Sequence, residues 1–271
     1  SWNNFNAFVP QSIGNKGVTT QSPTQELVDA FQTKNGYPVT LGVNGWQCDD
    51  PQFNAQTPYA NRDLRFARTI LANGSQFKGS MIETYVGGSD YASIAEGGSP
   101  TGYFLRKYIQ ESTNLNPNTP VSNKHHWIVY RYAETLLTYA ESMIEAFGDP
   151  DYTDETYLYS ARWAINQVRA NVGMPDITVT GKTDFIAALR NEWRVEFAFE
   201  DHRFWDVRRW KIGDATQRRI HGVEITRTGS EYTFRRKVCE QRTWADRMYL
   251  YPIPQSELYK NPNLAPQNTG W

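Results

Sequence analysis

The sequence has too few cysteines, and too far apart, for a zinc site. Cys48 and Cys239 are its 2 cysteines in 271 residues. No CxxC and no Cys/His cluster with zinc spacing occurs, so a structural zinc site is excluded, while a lone disulfide and two free thiols both stay open. His125 and His126 adjoin, but sequence neighbours on a helix point in different directions. A place at a helix start suits them better than shared metal ligation. The chain also lacks an excess of charge. Its 28 Lys and Arg against 29 Asp and Glu give a net −1, which leaves nothing to neutralise a phosphate backbone and excludes nucleic acid as a partner. No apolar run approaches the ~20 residues of a membrane-spanning helix, and the mean hydropathy is −0.65. Ser1–Pro10 lacks the basic start and apolar stretch of a signal peptide. No phosphate-cradling GxxxxGK[ST], no GxGxxG and no nucleophile elbow is present. The sequence therefore offers no catalytic constellation, no metal site and no cofactor site.

What it has in abundance is aromatic rings, 9 Trp and 16 Tyr within a 14% aromatic content. Such rings pair an apolar face with a polar tip and suit wet binding surfaces as well as cores. The chain reads as one domain, 1–271, in three parts. Residues 1–120 are rich in Gly, Pro, Asn, Ser and Thr, with turn formers at Asn35-Gly36, Asn73-Gly74, Gly87-Gly88 and Gly97-Gly98. This loop-rich part is the expected ligand-binding region, with a few short strands and a short helix over Pro23–Phe31, Pro23 in its first turn.

Residues 124–212 form the expected helical scaffold. Ala133, Leu136, Leu137, Ala140, Met143, Ile144 and Phe147 recur at helical spacing over Tyr130–Phe147, and Gly148 and Pro150 stop that helix. A second runs from about Glu155 to Val172 with Leu158, Ala161, Ile165, Val168 and Val172 inward. A third begins after Thr183-Asp184 as N-cap and carries Phe185, Ile186, Leu189, Trp193, Phe197 and Phe204. The first two make an αα-hairpin resembling a tetratricopeptide unit. Residues 213–271 are mixed, with short extended segments at Tyr232–Phe234 and Met248–Tyr251.

Two kinds of residue qualify as functional candidates. Glu192, Glu196 and Glu200 are spaced by four, as paired carboxylates of a glycosidase would need a fixed separation. They are interleaved with arginines, however, and we expect Arg190, Arg194, Arg203 and Arg208 to pair with carboxylates such as Glu134, Glu141, Glu192, Glu196 or Asp206. The better candidates are loop aromatics. Trp46, Tyr59, Tyr85 and Tyr91 sit among Gly, Asn, Asp and Ser, outside every periodic apolar face. They are expected to offer ring faces to a ligand, with a hydrogen-bonding rim from Asn54, Asn61, Arg62 and Asp90. Trp163, Trp193 and Phe197 lie on helices and are assigned to packing.

Four stretches, in order, resemble the SusD/RagB family of outer-membrane nutrient-binding lipoproteins. They are Tyr130–Glu141 (YRYAETLLTYAE), Ala164–Pro175 (AINQVRANVGMP), Arg190–Asp206 (RNEWRVEFAFEDHRFWD), and the C-terminal set of Tyr251–Pro254 (YPIP), Asn261–Leu264 (NPNL) and Gln267–Trp271 (QNTGW). Gly102–Tyr108 (GYFLRKY) is similar to a further family segment. The resemblance matches the second half of a usual member. It implies a mainly α fold, a SusD-like helical architecture with a tetratricopeptide-like helix pair, long loops and a few short strands, and no enzyme activity. It also implies capture of oligosaccharide, or of peptide in RagB-like members, at the outer face of the cell outer membrane in polysaccharide utilization. Delivery to a SusC-like TonB-dependent transporter and a lipid anchor in the part not matched complete that picture. Family members place glycan-contacting aromatics in loops just ahead of the segment matching Gly102–Tyr108, which puts Tyr85 and Tyr91 nearest. Two other classes remain open on the residues alone. A helical glycoside hydrolase or lyase predicts a cleft lined by two carboxylates; a helical-repeat protein-interaction module predicts buried loop aromatics.

Overall fold

The computed structural model describes residues 10, 12–13, 21–91, 96, 98–114, 118–122 and 127–271. The expectation for His125-His126 lies outside them. The loop-rich stretch holds helix α1 (Gln25–Ala30), strands β1 (Thr40–Gly42) and β2 (Gly45–Gln47), helix α2 (Leu64–Thr69), and strands β3 (Ile70–Leu71), β4 (Gln76–Phe77), β5 (Ser80–Met81) and β6 (Phe104–Leu105). The scaffold follows as α3 (Tyr132–Phe147), α4 (Ala161–Ala170), α5 (Lys182–Glu196), α6 (His202–Arg209) and α7 (Gly213–Gln217). Strands β7 (Arg219–Thr228) and β8 (Glu231–Gln241) and helix α8 (Gln255–Lys260) complete it. Among the described residues the strands pair in twos, all antiparallel: β1-β2, β3-β6, β4-β5 and β7-β8.

The expected apolar stripe of α3 goes inward: Leu136, Leu137, Ala140, Met143 and Ile144 are all buried, against Ala161, Ala164, Ile165 and Val168 of α4 and Phe185, Leu189 and Trp193 of α5. Gly148 ends α3 in the left-handed region, its N–H on the Ile144 carbonyl, as helix C-termini favour. Helix starts differ from expectation where a polar side chain finds the backbone first. Asp154 Oδ1 accepts from the N–H groups of Thr156 and Tyr157, and that turn competes with helix. α4 consequently begins only after Ser160, which caps the Trp163 N–H. Leu158, expected inward, is left exposed, and Trp163 is half-exposed with its ring stacked on Tyr159. α5 starts from Gly181, with Thr183 and Asp184 inside its first turn. It stops at Glu196 because Phe199 and Asp201 take positive φ, so Phe204 rides on a separate helix, exposed. At α1 the cap is Thr24, with Pro23 one position before it.

The final third contains the largest departure. In place of short extended segments, β7 and β8 form one long hairpin from Arg219↔Gln241 to Thr228↔Glu231, with one register shift between Ile220 and His221. Its two-residue turn is Gly229-Ser230, with Gly229 at φ +61, the geometry a glycine-first hairpin turn uses. Gly222 lets the Gly102–Tyr108 segment lie directly on β7. A Cβ there would stand 2.5 Å from Thr101 Cα, and the Val223 N–H bonds the Thr101 carbonyl at 2.9 Å.

A second core joins all three stretches of the chain: Val28, Phe31, Leu41, Phe66 and Tyr103 meet Val195 and the hairpin residues Val223, Ile225 and Phe234. A third lies under β3 to β6, around Leu71, Phe77, Ile82, Phe104 and Leu105. Cys48 and Cys239 are both free. The Cys239 thiol, 3.0 Å from the Pro100 carbonyl, is pushed up in pKa by burial. No helix among the described residues is long and apolar enough to cross a membrane.

Candidate ligand-binding site

The free end of the β7-β8 hairpin gathers the aromatics of the loop-rich stretch. Tyr85 reaches it because the Val86 N–H bonds the Ile225 carbonyl at 2.8 Å. The loop at 54–57 reaches it because Gln56 clamps the Tyr232 backbone, accepting its N–H at 2.8 Å and donating to its carbonyl at 3.1 Å. Trp46 arrives on β2, which packs against β8. The rings then run in contact, with Tyr85 on Tyr232 at 5.9 Å, Tyr232 on Phe234 at 6.2 Å, and Trp46 on Phe234 at 5.9 Å. Trp46 also meets Tyr59 edge-on at 5.7 Å. Arg227 lies over the Tyr85 and Tyr232 rings at 5.4 and 5.8 Å, and its Nη1 donates to the Tyr85 hydroxyl at 3.3 Å. The Tyr85 hydroxyl in turn donates to Glu83 Oε1.

Three of the four expected rings thus share one cluster, but they do not share one degree of freedom. Tyr59 stacks flat on Phe66, 5.8 Å away with the planes 5° apart, and its hydroxyl bonds that of Tyr103 at 3.2 Å. Burial raises the pKa of both phenols. Its ring is therefore a wall of the core, not a free platform as expected from its loop. Trp46 is also packed on that core, with its indole N–H buried and without an acceptor among the described residues. Tyr85 and Tyr232 are half-buried at the rim, and Tyr91 stands apart, 45% exposed. The expected polar rim is corrected in two places. Arg62 is buried on three backbone carbonyls, and Asp90 is buried holding the Ser12 and Glu83 N–H groups. Tyr232 and Arg227 belong to this cluster and were missed from sequence. Their signal was available: the Gly-Ser turn places them directly across from each other.

The carboxylates spaced by four are built into ion pairs. Glu192 binds Arg65 at 2.6 Å and Arg169 at 2.9 Å; Glu196 binds Arg65 at 2.6 Å and also Arg131; Glu200 binds Arg131 at 2.8 Å and Lys107 at 2.6 Å. Burial pushes the Glu200 carboxyl up, but Arg131 and Lys107 outweigh it and hold the group below its usual value. Each glutamate of the ladder is saturated by two cations and none is left as a general acid. A second acidic hollow, about 560 Å³ between α3 and α6, contains Glu134, Glu141, Glu145 and Asp206, with Glu141 and Asp206 both fastened to Arg209. Of the partners expected for Arg190, Arg194, Arg203 and Arg208, Glu192, Glu196, Glu141 and Asp206 are taken by other cations, and Glu134 lies 3.5 Å from His202. Residues 192 and 196 share one face of α5 and Glu200 follows in the turn beyond it, whereas 190 and 194 lie on the opposite face, so interleaving in sequence became segregation in space.

This arrangement has relatives. The SusD family model matches residues 2–271. A SusD-like protein P2 from Formosa agariphila is 25% identical over 84% of this chain and 41% of its own length. A SusD-like protein from Bacteroides fragilis superposes with a TM-score of 0.77 at 33% identity, covering 98% of this chain and 50% of that one. A SusD-like carbohydrate binding protein from the same organism gives 0.68 at 28% identity, covering 95% and 50%. The chain spans about half the length of these relatives. With the helical scaffold, the tetratricopeptide-like pair and a match along nearly its whole length, the chain belongs to the SusD family.

Proposed function

We propose that this chain is the glycan-capturing part of a cell-surface nutrient-binding protein that passes oligosaccharides to a SusC-like TonB-dependent outer-membrane transporter. It is a binding protein, not an enzyme. The SusD family membership and the carbohydrate-binding relative support that reading at the level of class. The observation that carries it to a place is the pair Tyr85–Tyr232, two half-buried rings 5.9 Å apart capped by Arg227 and flanked by Glu83 and Gln56. Rings of this kind stack on the C–H face of a sugar while the adjacent amide, carboxylate and guanidinium meet its hydroxyls. Trp46 and Tyr59 stiffen the platform from behind.

Isothermal titration against neutral malto-, cello-, xylo- and laminari-oligosaccharides tests this. Tyr85→Ala with Tyr232→Ala should weaken the best ligand at least tenfold, about 1.4 kcal/mol. The melting temperature should fall by only a few degrees, because both rings are at the rim. Unchanged affinity in the double variant would remove the platform from the binding site.

A further inference from the structure

At the base of the same hairpin, roughly 20 Å along the strands from Tyr232, a cavity of about 300 Å³ opens between α1, the turn after α5, and α6. Arg194 and Arg203 both line it. Neither makes a hydrogen bond, ion pair or ring contact among the described residues, and the Nε of Arg203 is buried without an acceptor. The like charge of Arg203 acts on Arg194 ahead of the opposing Glu26 and Asp29, and Asp206, which favours the charged Arg203, is itself bonded to Arg209. Burial, and then that like charge, pull the Arg194 guanidinium down to about 10.

Two unpaired guanidiniums facing one hollow are costly unless an anion visits them. The chain's own anions are committed elsewhere. Glu192 and Glu196 face the opposite side of α5, and both they and Glu200, in the turn beyond it, are saturated. Glu26, which lines the cavity, is held by Arg236 at 2.8 Å and by His221. Arg242, at the rim, is paired with Glu240 at 2.6 Å. Asp201 also lines the hollow and makes no ion pair with either arginine. Leu27, Phe197, Phe199, Phe204 and Ile220 supply apolar wall, with the hydroxyl and amide groups of Ser22, Thr24, Thr216 and Gln217 between them.

We propose that Arg194 and Arg203 form a second subsite that holds the carboxylate of an acidic sugar. Planar guanidinium forks match a carboxylate two bonds at a time. The phenylalanine and aliphatic walls suit the C–H face of the same pyranose ring. A cavity of this volume is at the small end of ligand sites and fits one residue rather than a chain. The sugar part of this assignment rests on the glycan reading above; the anion part rests on the two arginines.

The test is titration of the protein with D-glucuronate, D-glucose and N-acetyl-aspartate amide, followed by melting temperature and calorimetry, for the wild type and the Arg194→Gln and Arg203→Gln variants. Glucuronate should bind and raise the melting temperature, glucose should not, and either substitution should weaken glucuronate at least tenfold. Ligand-free Arg194→Gln should melt at or above the wild type, since it relieves repulsion. Equal response to glucuronate and glucose overturns the proposal. Binding of the aspartate amide without glucuronate overturns it in favour of an acidic polypeptide side chain. A drop of several degrees in ligand-free Arg194→Gln overturns it in favour of a structural arginine. Neutral-oligosaccharide binding at Tyr85 and Tyr232, measured on the same samples, fails or survives independently.

Discussion

Glu192→Ala should lower the melting temperature by on the order of 10 °C, the equivalent of about 3–5 kcal/mol in a chain of this size. Glu192 is 1% exposed and lies between two guanidiniums that are themselves buried, Arg65 and Arg169. Arg65 has two other anions, Asp63 at 2.6 Å and Glu196 at 2.6 Å, but Arg169 has no other carboxylate among the described residues. Its remaining bonds go to the Pro175 carbonyl and to Gln32. The loss is therefore dominated by a stranded charge at Arg169, not by the pair energy, since removing one side of a buried pair costs more than the pair is worth. Glu192→Gln, which keeps an acceptor without the charge, should fall between. Thermal melts by circular dichroism decide it, and a Glu192→Ala variant within 2 °C of the wild type would show the ladder to be energetically idle.

The second large effect is expected at Arg62. Its guanidinium is 5% exposed and has no carboxylate partner among the described residues. It donates instead to the carbonyls of Val28 and Phe31, both at 2.6 Å, and of Pro58 at 3.0 Å, with the Phe66 ring 5.3 Å from its central carbon. Burial pulls its pKa down to about 10, the cost of holding an uncompensated cation inside. The return is geometric, because the same group ties the end of α1 to the loop carrying Tyr59. Arg62→Ala leaves three buried carbonyls short of a donor and frees that loop, a loss of about 3–5 kcal/mol. Near-ultraviolet dichroism should lose intensity as Trp46 and Tyr59 disengage, and neutral-glycan affinity should fall with it. Full signal with a lowered melting temperature would show that the aromatic cluster stands without Arg62.

The family and the helical scaffold were legible because they are local. Leu136, Leu137, Ala140, Met143 and Ile144 carry their period within one helix, and the YRYAE and RNEWRVEF stretches are contiguous. Where a side chain intervened in its own neighbourhood, the period misled: Asp154 captured the backbone that Leu158 seemed to continue. The ion pairs were illegible for a different reason. Nothing near Glu192 says that its partners are Arg65 and Arg169 while the adjoining Arg194 goes without. The aromatic site was half visible. Trp46, Tyr59 and Tyr85 do converge, but a loop composition does not reveal that Phe66 waits beneath Tyr59 or that Tyr232 comes across to complete the surface.

The alternating row Arg169, Glu192, Arg65, Glu196, Arg131, Glu200, Lys107 has a consequence for how the chain reaches this structure. Arg65 finds Glu192 across 127 residues and Glu196 across 131, and Lys107 finds Glu200 across 93. Such contacts come late, after long stretches of chain have been closed into loops. A hairpin of α3 and α4 with α5 docked on it has every apolar residue it needs, yet it holds Glu196 and Glu200 against a surface that residues 63–131 have not yet supplied. Compact forms assembled from the helices alone are therefore penalised, and so are forms in which the loop-rich stretch settles out of register. The charges select the finished arrangement against its near relatives. Helical and aromatic signals should accordingly disappear together in a single unfolding transition, with no surviving bundle of helices beyond it.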